Sequence, residues 1–212
     1  LSDVVKAANK AMGEIDMPAD FTWQFGGTFE DQQDTFSDMI MLMALIIVLV
    51  FIIMASQFES LTYPFVIMFS IPFALTGVLM GLFVTGTPLS IMAMLGLLML
   101  IGIVVNNGIV LIDYIMLCRE RGLGLVNAIV TSGRSRLRPI LMTTLTTVIG
   151  MIPMAVGKGE GSEMWRALGM SVAWGLSFST LITLIIIPTL YSVFARIGIK
   201  RARKKELKTL KK

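Results

Sequence analysis

Apolar residues in this chain come in long blocks separated by short polar stretches. Five blocks run for 17 residues or more, at about 39–55, 61–84, 91–118, 140–156 and 164–195. A helix rises about 1.5 Å per residue and a bilayer core is about 30 Å thick, so each block predicts a membrane-crossing helix. The third block says most. Within residues 90–117 Asp113 is the one charged side chain, and as a helix the run would be about 40 Å long, enough to span with some tilt. Helical spacing puts Gly102, Asn106, Ile109 and Asp113 on one stripe, leaving the lipid to Leu, Ile, Val and Met. That small, polar stripe is expected to look into a protein interior. The second block contains Pro64, Pro72 and Gly77-x-x-x-Gly81, and the last contains Pro188. Such residues are tolerated in membrane helices because close neighbours satisfy the loosened backbone. The glycine pair is expected to serve packing inside one subunit rather than dimerisation.

Ahead of the first block the pattern changes. Residues 2–15 predict a short amphipathic helix, with Ser2 as candidate N-cap and Val5, Ala8, Met12 and Ile15 on one face. Phe21, Trp23 and Phe25 then alternate with Thr22 and Gln24, the period of a half-buried strand, and Gly26-Gly27 turns the chain. Thr28 followed by Asp31 opens another helix, whose polar start runs straight into the first block. The expected fold is an all-α membrane protein with five transmembrane helices and a short α/β remnant of a water-exposed domain at the amino terminus. Residues 1–34 form the remnant, 35–197 the membrane region and 198–212 a basic tail. The opening has neither a basic n-region nor a short h-region, so no signal peptide is expected, and the chain reads as part of a longer one.

Composition agrees and narrows the chemistry. Of 212 residues 55% are apolar and 15% charged, against about 25% charged in an average soluble domain; the mean hydropathy is +0.81. A single cysteine, Cys118, excludes an internal disulfide, and the lack of histidine removes the usual proton shuttle and the commonest metal ligand. Proton chemistry would have to use carboxylates, lysines or polar relays. The 17 methionines invite a soft-metal reading, since thioethers bind Cu(I), but Met39, Met41, Met43, Met68 and Met80 sit in apolar blocks as flexible filling. No cofactor or metal site is expected. Fourteen of the 18 positive charges fall in two segments, 119–138 and 196–212. Five spans bring those segments to one side, which the positive-inside rule makes cytoplasmic, with the amino terminus on the opposite, periplasmic side. The tail reads as an anchor near anionic headgroups, with no nucleic-acid partner.

Polar groups inside the spans are the candidate chemistry. A charged group at a membrane helix centre costs about 2.5–3.5 kcal/mol or more, so it raises the expectation of an ion or substrate path. Asn106 and Asn107 lie mid-span and suit either such a path or plain helix–helix hydrogen bonding. Asp113 suits the path or a structural ion pair with Arg119 or an adjacent span. The run Arg134-Ser-Arg136-Leu-Arg138-Pro139 leads into Thr143 and Thr144. Proline suits the first turn of a helix, which would put Arg136 and Arg138 at the cytoplasmic threshold of the fourth span and Thr143 about a turn inside. The Thr143 hydroxyl can bond its own backbone or hold water on a proton path.

The run Gly102-Ile-Val-Val-Asn-Asn-Gly-Ile-Val-Leu-Ile-Asp113 and the run Arg136-Leu-Arg-Pro-Ile-Leu-Met-Thr-Thr144 resemble the carboxy-terminal membrane part of resistance-nodulation-division efflux permeases, hydrophobe/amphiphile branch. Gly26-Gly-Thr-Phe-Glu30, Ser56-Gln-Phe-Glu-Ser60 and Gly150-Met-Ile-Pro153 agree, so the likeness covers essentially the whole chain. It implies that the five spans match helices 8 to 12 of a twelve-helix inner-membrane permease. The expected function is part of a proton-driven multidrug exporter, not an enzyme. The implied partners are the missing first half, two further copies in a homotrimer, a periplasmic adaptor and an outer-membrane channel, with protons and hydrophobic or amphiphilic molecules moved. The family's central carboxylates belong to a helix outside this chain. The lysine that pairs with them falls on Asn106, a departure; the relay arginine and threonine fall on Arg136 and Thr143, and Asn107 matches the family's asparagine. The expected relay residues are therefore Asn106, Asn107, Arg136, Thr143 and Asp113. Alternatives are a lipid, secretion or cation exporter of the same kind, or a non-transporting structural module.

Overall fold

Residues 2–14, 28–157, 159 and 161–209 are described by a computed structural model, in which every regular element is a helix. The chain divides into two compact units, Leu1–Leu42 and Met43–Lys212. In the first, α1 (Ser2–Gly13) follows the predicted amphipathic helix. The predicted strand at Phe21, Trp23 and Phe25 and the Gly26-Gly27 turn lie outside the described residues, and no strand occurs among those described. Of the expected α/β remnant only the helix is therefore seen. Helix α2 (Thr28–Phe58) begins where Thr28 and Asp31 predict and passes unbroken from polar into apolar sequence.

The second unit adds α3 (Thr62–Met68), α4 (Ser70–Thr85), α5 (Ile91–Glu120), α6 (Leu125–Val156) and α7 (Ser162–Thr209). Five stretches of the described residues are long and apolar enough to cross a membrane: Gln33–Phe58, Thr62–Thr85, Ile91–Glu120, Leu125–Val156 and Ser162–Arg196. Glu59 takes a left-handed φ of 47°, which ends α2 as an αL residue ends many helices. The predicted second span is two helices meeting at Phe69. Pro72 has no N–H for the carbonyl four residues earlier, and the Ser70 hydroxyl covers the break by donating to the Ile67 carbonyl at 2.7 Å. Gly86, left-handed at φ 63°, closes α4, and Ser90 caps α5 by accepting the Ala93 N–H.

Helix α7 is the spine against which α4, α5 and α6 pack. Its buried positions, Leu168, Val172, Leu176, Thr180, Thr183, Ile187 and Tyr191, recur every three or four residues, one continuous helical face. Glycines set how closely the neighbours approach. A methyl group at Gly77 would stand 2.7 Å from Cβ of Phe178, and one at Gly81 would overlap Trp174. Both members of the Gly77-x-x-x-Gly81 pair thus face α7 of their own chain, the use of small residues expected from sequence.

One expectation is corrected. The arginine-rich segment is not a loop before a proline-initiated helix: α6 starts at Leu125 and carries Arg134, Arg136, Arg138 and Pro139 in its interior, so only residues 121–124 join it to α5. Ala128 and Ser132 on that early part are buried, and Ser132 reaches Cys118 of α5 at 3.7 Å. Arginine is a good helix former, and burial of one face outweighs the proline. The polar stripe of α5 is turned away from this chain's own bundle. Within this chain Gly102, Asn106 and Asp113 are exposed, while Leu97, Leu100, Ile101, Val104, Gly108, Leu111, Ile112 and Ile115 are buried. The apolar side of α5 takes the interior because burying it costs no unpaired polar group.

Candidate functional site

Helices α5 and α6 leave between them a cavity of about 500 Å³ floored by Leu176 of α7. From α5 it takes Gly102, Asn106 and Val110, one turn apart along one face, together with Ile103 and Asn107; from α6 it takes Ile140, Thr143, Thr144 and Thr147, with Pro139 at one end. Steps of three or four residues along α5 and α6 are about one turn each, so the spacing of Asn106 with Asn107 and of Thr143 with Thr147 brings carboxamides and hydroxyls to one cavity. Gly102 has no atom near where a Cβ would stand, which widens the slot at that end. The wall is mainly apolar and holds no charged side chain.

Hydrogen-bond directions decide what this wall offers. Thr143 donates to the Ile140 carbonyl at 2.9 Å, and Thr147 to the Thr143 carbonyl at 3.0 Å. With their protons committed to the helix, both oxygens keep acceptor capacity for the cavity. Backbone bonding and a role toward water, which sequence left as alternatives for Thr143, are therefore compatible. Thr144 and Thr180 share a hydroxyl–hydroxyl bond of 3.3 Å that ties α6 to α7. Asn106 is exposed and Asn107 half-buried; each carboxamide can both donate and accept. A group entering the slot meets neutral donors and acceptors, so an anion there needs a cation from elsewhere.

The structure brings together Asn106, Asn107 and Thr143 but not all five predicted residues. Arg136 lies one helical turn before Ile140, outside the lining. Its guanidinium carbon sits 4.6 Å from the centroid of the Tyr114 ring on α5, and its Nε is buried without a hydrogen-bond partner. Asp113 is exposed, and an ion pair with Arg119, one of the alternatives open to it, is not formed. Arg119 instead donates to the Tyr191 hydroxyl at 3.5 Å, and Tyr63 stacks on Tyr191 with centroids 5.6 Å apart. The physical reason is direction: Asp113 lies on the outward stripe, while Arg119 is six residues on and turned toward α7. Sequence reasoning missed Tyr114 and the α7 hydroxyls. Tyr114 carries no local signal, since its partner is 22 positions away; Thr180 and Thr183 were legible as polar positions three apart inside an apolar span.

Comparison with known proteins agrees with this architecture. A model of the AcrB/AcrD/AcrF family matches residues 1–195. The swarming motility protein SwrC of Bacillus subtilis (strain 168) is 40% identical over 199 residues, covering 93% of this chain and 19% of that protein. The cobalt-zinc-cadmium resistance protein CzcA of Cupriavidus metallidurans is 35% identical over 195 residues, 92% of this chain and 18% of the relative. The multidrug resistance protein MdtC of Enterobacter sp. (strain 638) is 33% identical over 205 residues, 96% and 20% of the two. The crystal structure of a heavy metal efflux pump superposes with a TM-score of 0.80 at 29% identity, over 92% of this chain and 20% of that one. The chain thus spans about a fifth of the length of the curated relatives it matches.

Proposed function

We propose, on the premise that this chain belongs to the AcrB/AcrD/AcrF family of resistance-nodulation-division permeases, that it supplies one wall of the proton relay of an efflux permease. The carrying observation is the cavity of about 500 Å³ that presents Asn106, Asn107 and Thr143 on an otherwise apolar bundle. A carboxyl group from the first half of the permease would enter it. When protonated, the acid donates to the Thr143 oxygen, whose own proton is held by Ile140. When ionised, it takes donors from the Asn106 carboxamide and charge from Arg136, a turn away. Because Asn106 is neutral, charge balance falls on Arg136, whose buried Nε has no hydrogen-bond partner among the described residues. Asp113 faces outward and belongs to the relay only if the first half covers it. A proton descending 100 mV releases about 2.3 kcal/mol, which alternation between the two bonding patterns would convert into helix movement.

In the intact assembly the chain would sit in the inner membrane, amino terminus periplasmic and tail cytoplasmic, within a homotrimer served by an adaptor and an outer-membrane channel. Hydrophobic or amphiphilic drugs are the substrate class proposed first. Cation export is the second reading, favoured by the likeness to CzcA and to a heavy metal efflux pump. Metal and drug sensitivity of a deletion strain separates the two. The relay is tested by Asn106→Ala and Thr143→Ala in the full-length permease. Efflux is expected to fall about tenfold, as for one or two lost hydrogen bonds, with altered proton dependence. Unchanged efflux with unchanged proton dependence removes both residues from the mechanism.

A further inference from the structure

The hydroxyl of Thr183 breaks a rule that the other buried hydroxyls among the described residues keep. Ser70, Thr76, Thr85, Thr143, Thr146, Thr147, Ser171, Ser177, Ser179 and Thr189 all donate to a carbonyl three or four residues back on their own helix. Thr144 bonds Thr180, and Ser132 bonds Cys118. Thr183 is 4% exposed, and its Oγ1 has no hydrogen-bond partner among the described residues. A buried hydroxyl left unpaired is costly, and native structures satisfy nearly all of them, often with an ordered water.

Beside it lies a small void of about 10 Å³, walled by Asn107, Thr180, Thr183 and Ile140 together with apolar side chains of α5 and α7. That is about the room one water needs, and a water also needs two to four polar partners. Thr183 and Asn107 supply two, and Thr180 keeps an acceptor lone pair beyond its bond to Thr144. The same Asn107 and Ile140 line the large cavity on their other side. The void thus adjoins the slot, with Asn107 in the wall of both.

We propose that one internal water occupies this void, bridging the Thr183 hydroxyl to Asn107, and that it fixes the orientation in which the Asn107 carboxamide meets the cavity. Thr183 is then a positioning residue acting through Asn107. Water fits where an ion does not, because the wall carries no charge and no space for a hydration shell. The water site stands on packing alone; its positioning role rests on the relay proposed above.

The test uses the full-length permease, with water density at high resolution as one readout and the pH profile of efflux as the other. Wild type and Thr183→Ser are expected to show one water in the void. Thr183→Val, which keeps the shape and deletes the hydroxyl, is expected to lose it and to slow efflux about fivefold, the scale of one hydrogen bond, with a displaced pH profile that Ser restores. A dry void in wild type overturns the site. A wet void with the wild-type pH profile in Thr183→Val overturns the positioning role. Failure of the relay itself would look different: Asn106→Ala and Thr143→Ala would leave efflux and its proton dependence unchanged while the water stayed in place.

Discussion

Arg136 shows how much a single side chain depends on one neighbour. Its guanidinium lies over the Tyr114 ring at 4.6 Å, a contact worth about 0.5–2 kcal/mol depending on desolvation. The ring covers one face of the guanidinium, on a residue that stands one turn before Ile140 of the cavity wall. Tyr114→Leu is therefore expected to lower thermal stability by an amount in that range and to reduce efflux. Tyr114→Phe, which keeps the π face, is expected to stay near wild type in both, by thermal unfolding in detergent and by transport. Equal losses from Leu and Phe would assign the effect to the hydroxyl instead. Arg136 was legible in the sequence because it stands in an arginine–proline run ahead of threonines. Tyr114 was not, since nothing in a linear pattern says which aromatic of one helix will lie under a cation of another.

At the scale of helices, close approach to α7 is what holds the bundle, and glycine is what permits it. The cost of a side chain should depend on where the glycine looks. Gly77→Ala is expected to destabilise by about 1–3 kcal/mol, because the new methyl meets Cβ of Phe178 at 2.7 Å and a backbone must shift. Gly102→Ala, with open space around it, is expected to cost nothing measurable and to gain the helix preference of alanine. A melting comparison of the two variants checks this, and equal losses would refute it. The helix ends follow the same logic. The second span, expected at 61–84, runs Thr62–Thr85, whereas the fourth, expected at 140–156, begins at Leu125, because an arginine–proline run reads as a boundary in sequence. Pro72 does mark a break, covered by Ser70, whereas Pro139 lies within a continuous helix whose early turns are buried through Ala128 and Ser132. Local signals were alike, and tertiary burial made the difference.

For the whole molecule, the distribution of charge and the exposure of apolar surface point to a lipid environment. Within the second unit, Leu45, Val48, Ile52 and Ile53 on α2, Phe83 on α4 and Leu181 and Ile185 on α7 are exposed, a pattern costly in water and neutral in a bilayer. The cluster of Tyr63, Arg119 and Tyr191 joins the start of α3, the end of α5 and the later part of α7. One end of the bundle therefore gathers the same chain ends that the positive-inside rule assigns to the cytoplasm. Topology follows as a prediction. In a Cys118→Ser background, a cysteine at Arg121 is expected to react with a membrane-impermeant maleimide only after the inner face is opened, and one at Gly159 from the outer face directly. The reverse pattern would invert the orientation.

What the sequence determined by itself was whatever a one-dimensional pattern of polarity controls: the number and approximate extent of the spans and the polar residue types they carry. Burial of apolar surface in lipid and satisfaction of the backbone depend only on composition over a window, so these features survive without knowledge of neighbours. Tertiary structure decided which of those residues meet. Asn106, Asn107 and Thr143 share one cavity, Asp113 turns outward, Arg119 finds Tyr191 and Thr183 is left without a partner. Those outcomes rest on the rotation of each helix about its axis, which is set by where glycines let α4, α5 and α7 close on one another, and no stretch of a single helix encodes that.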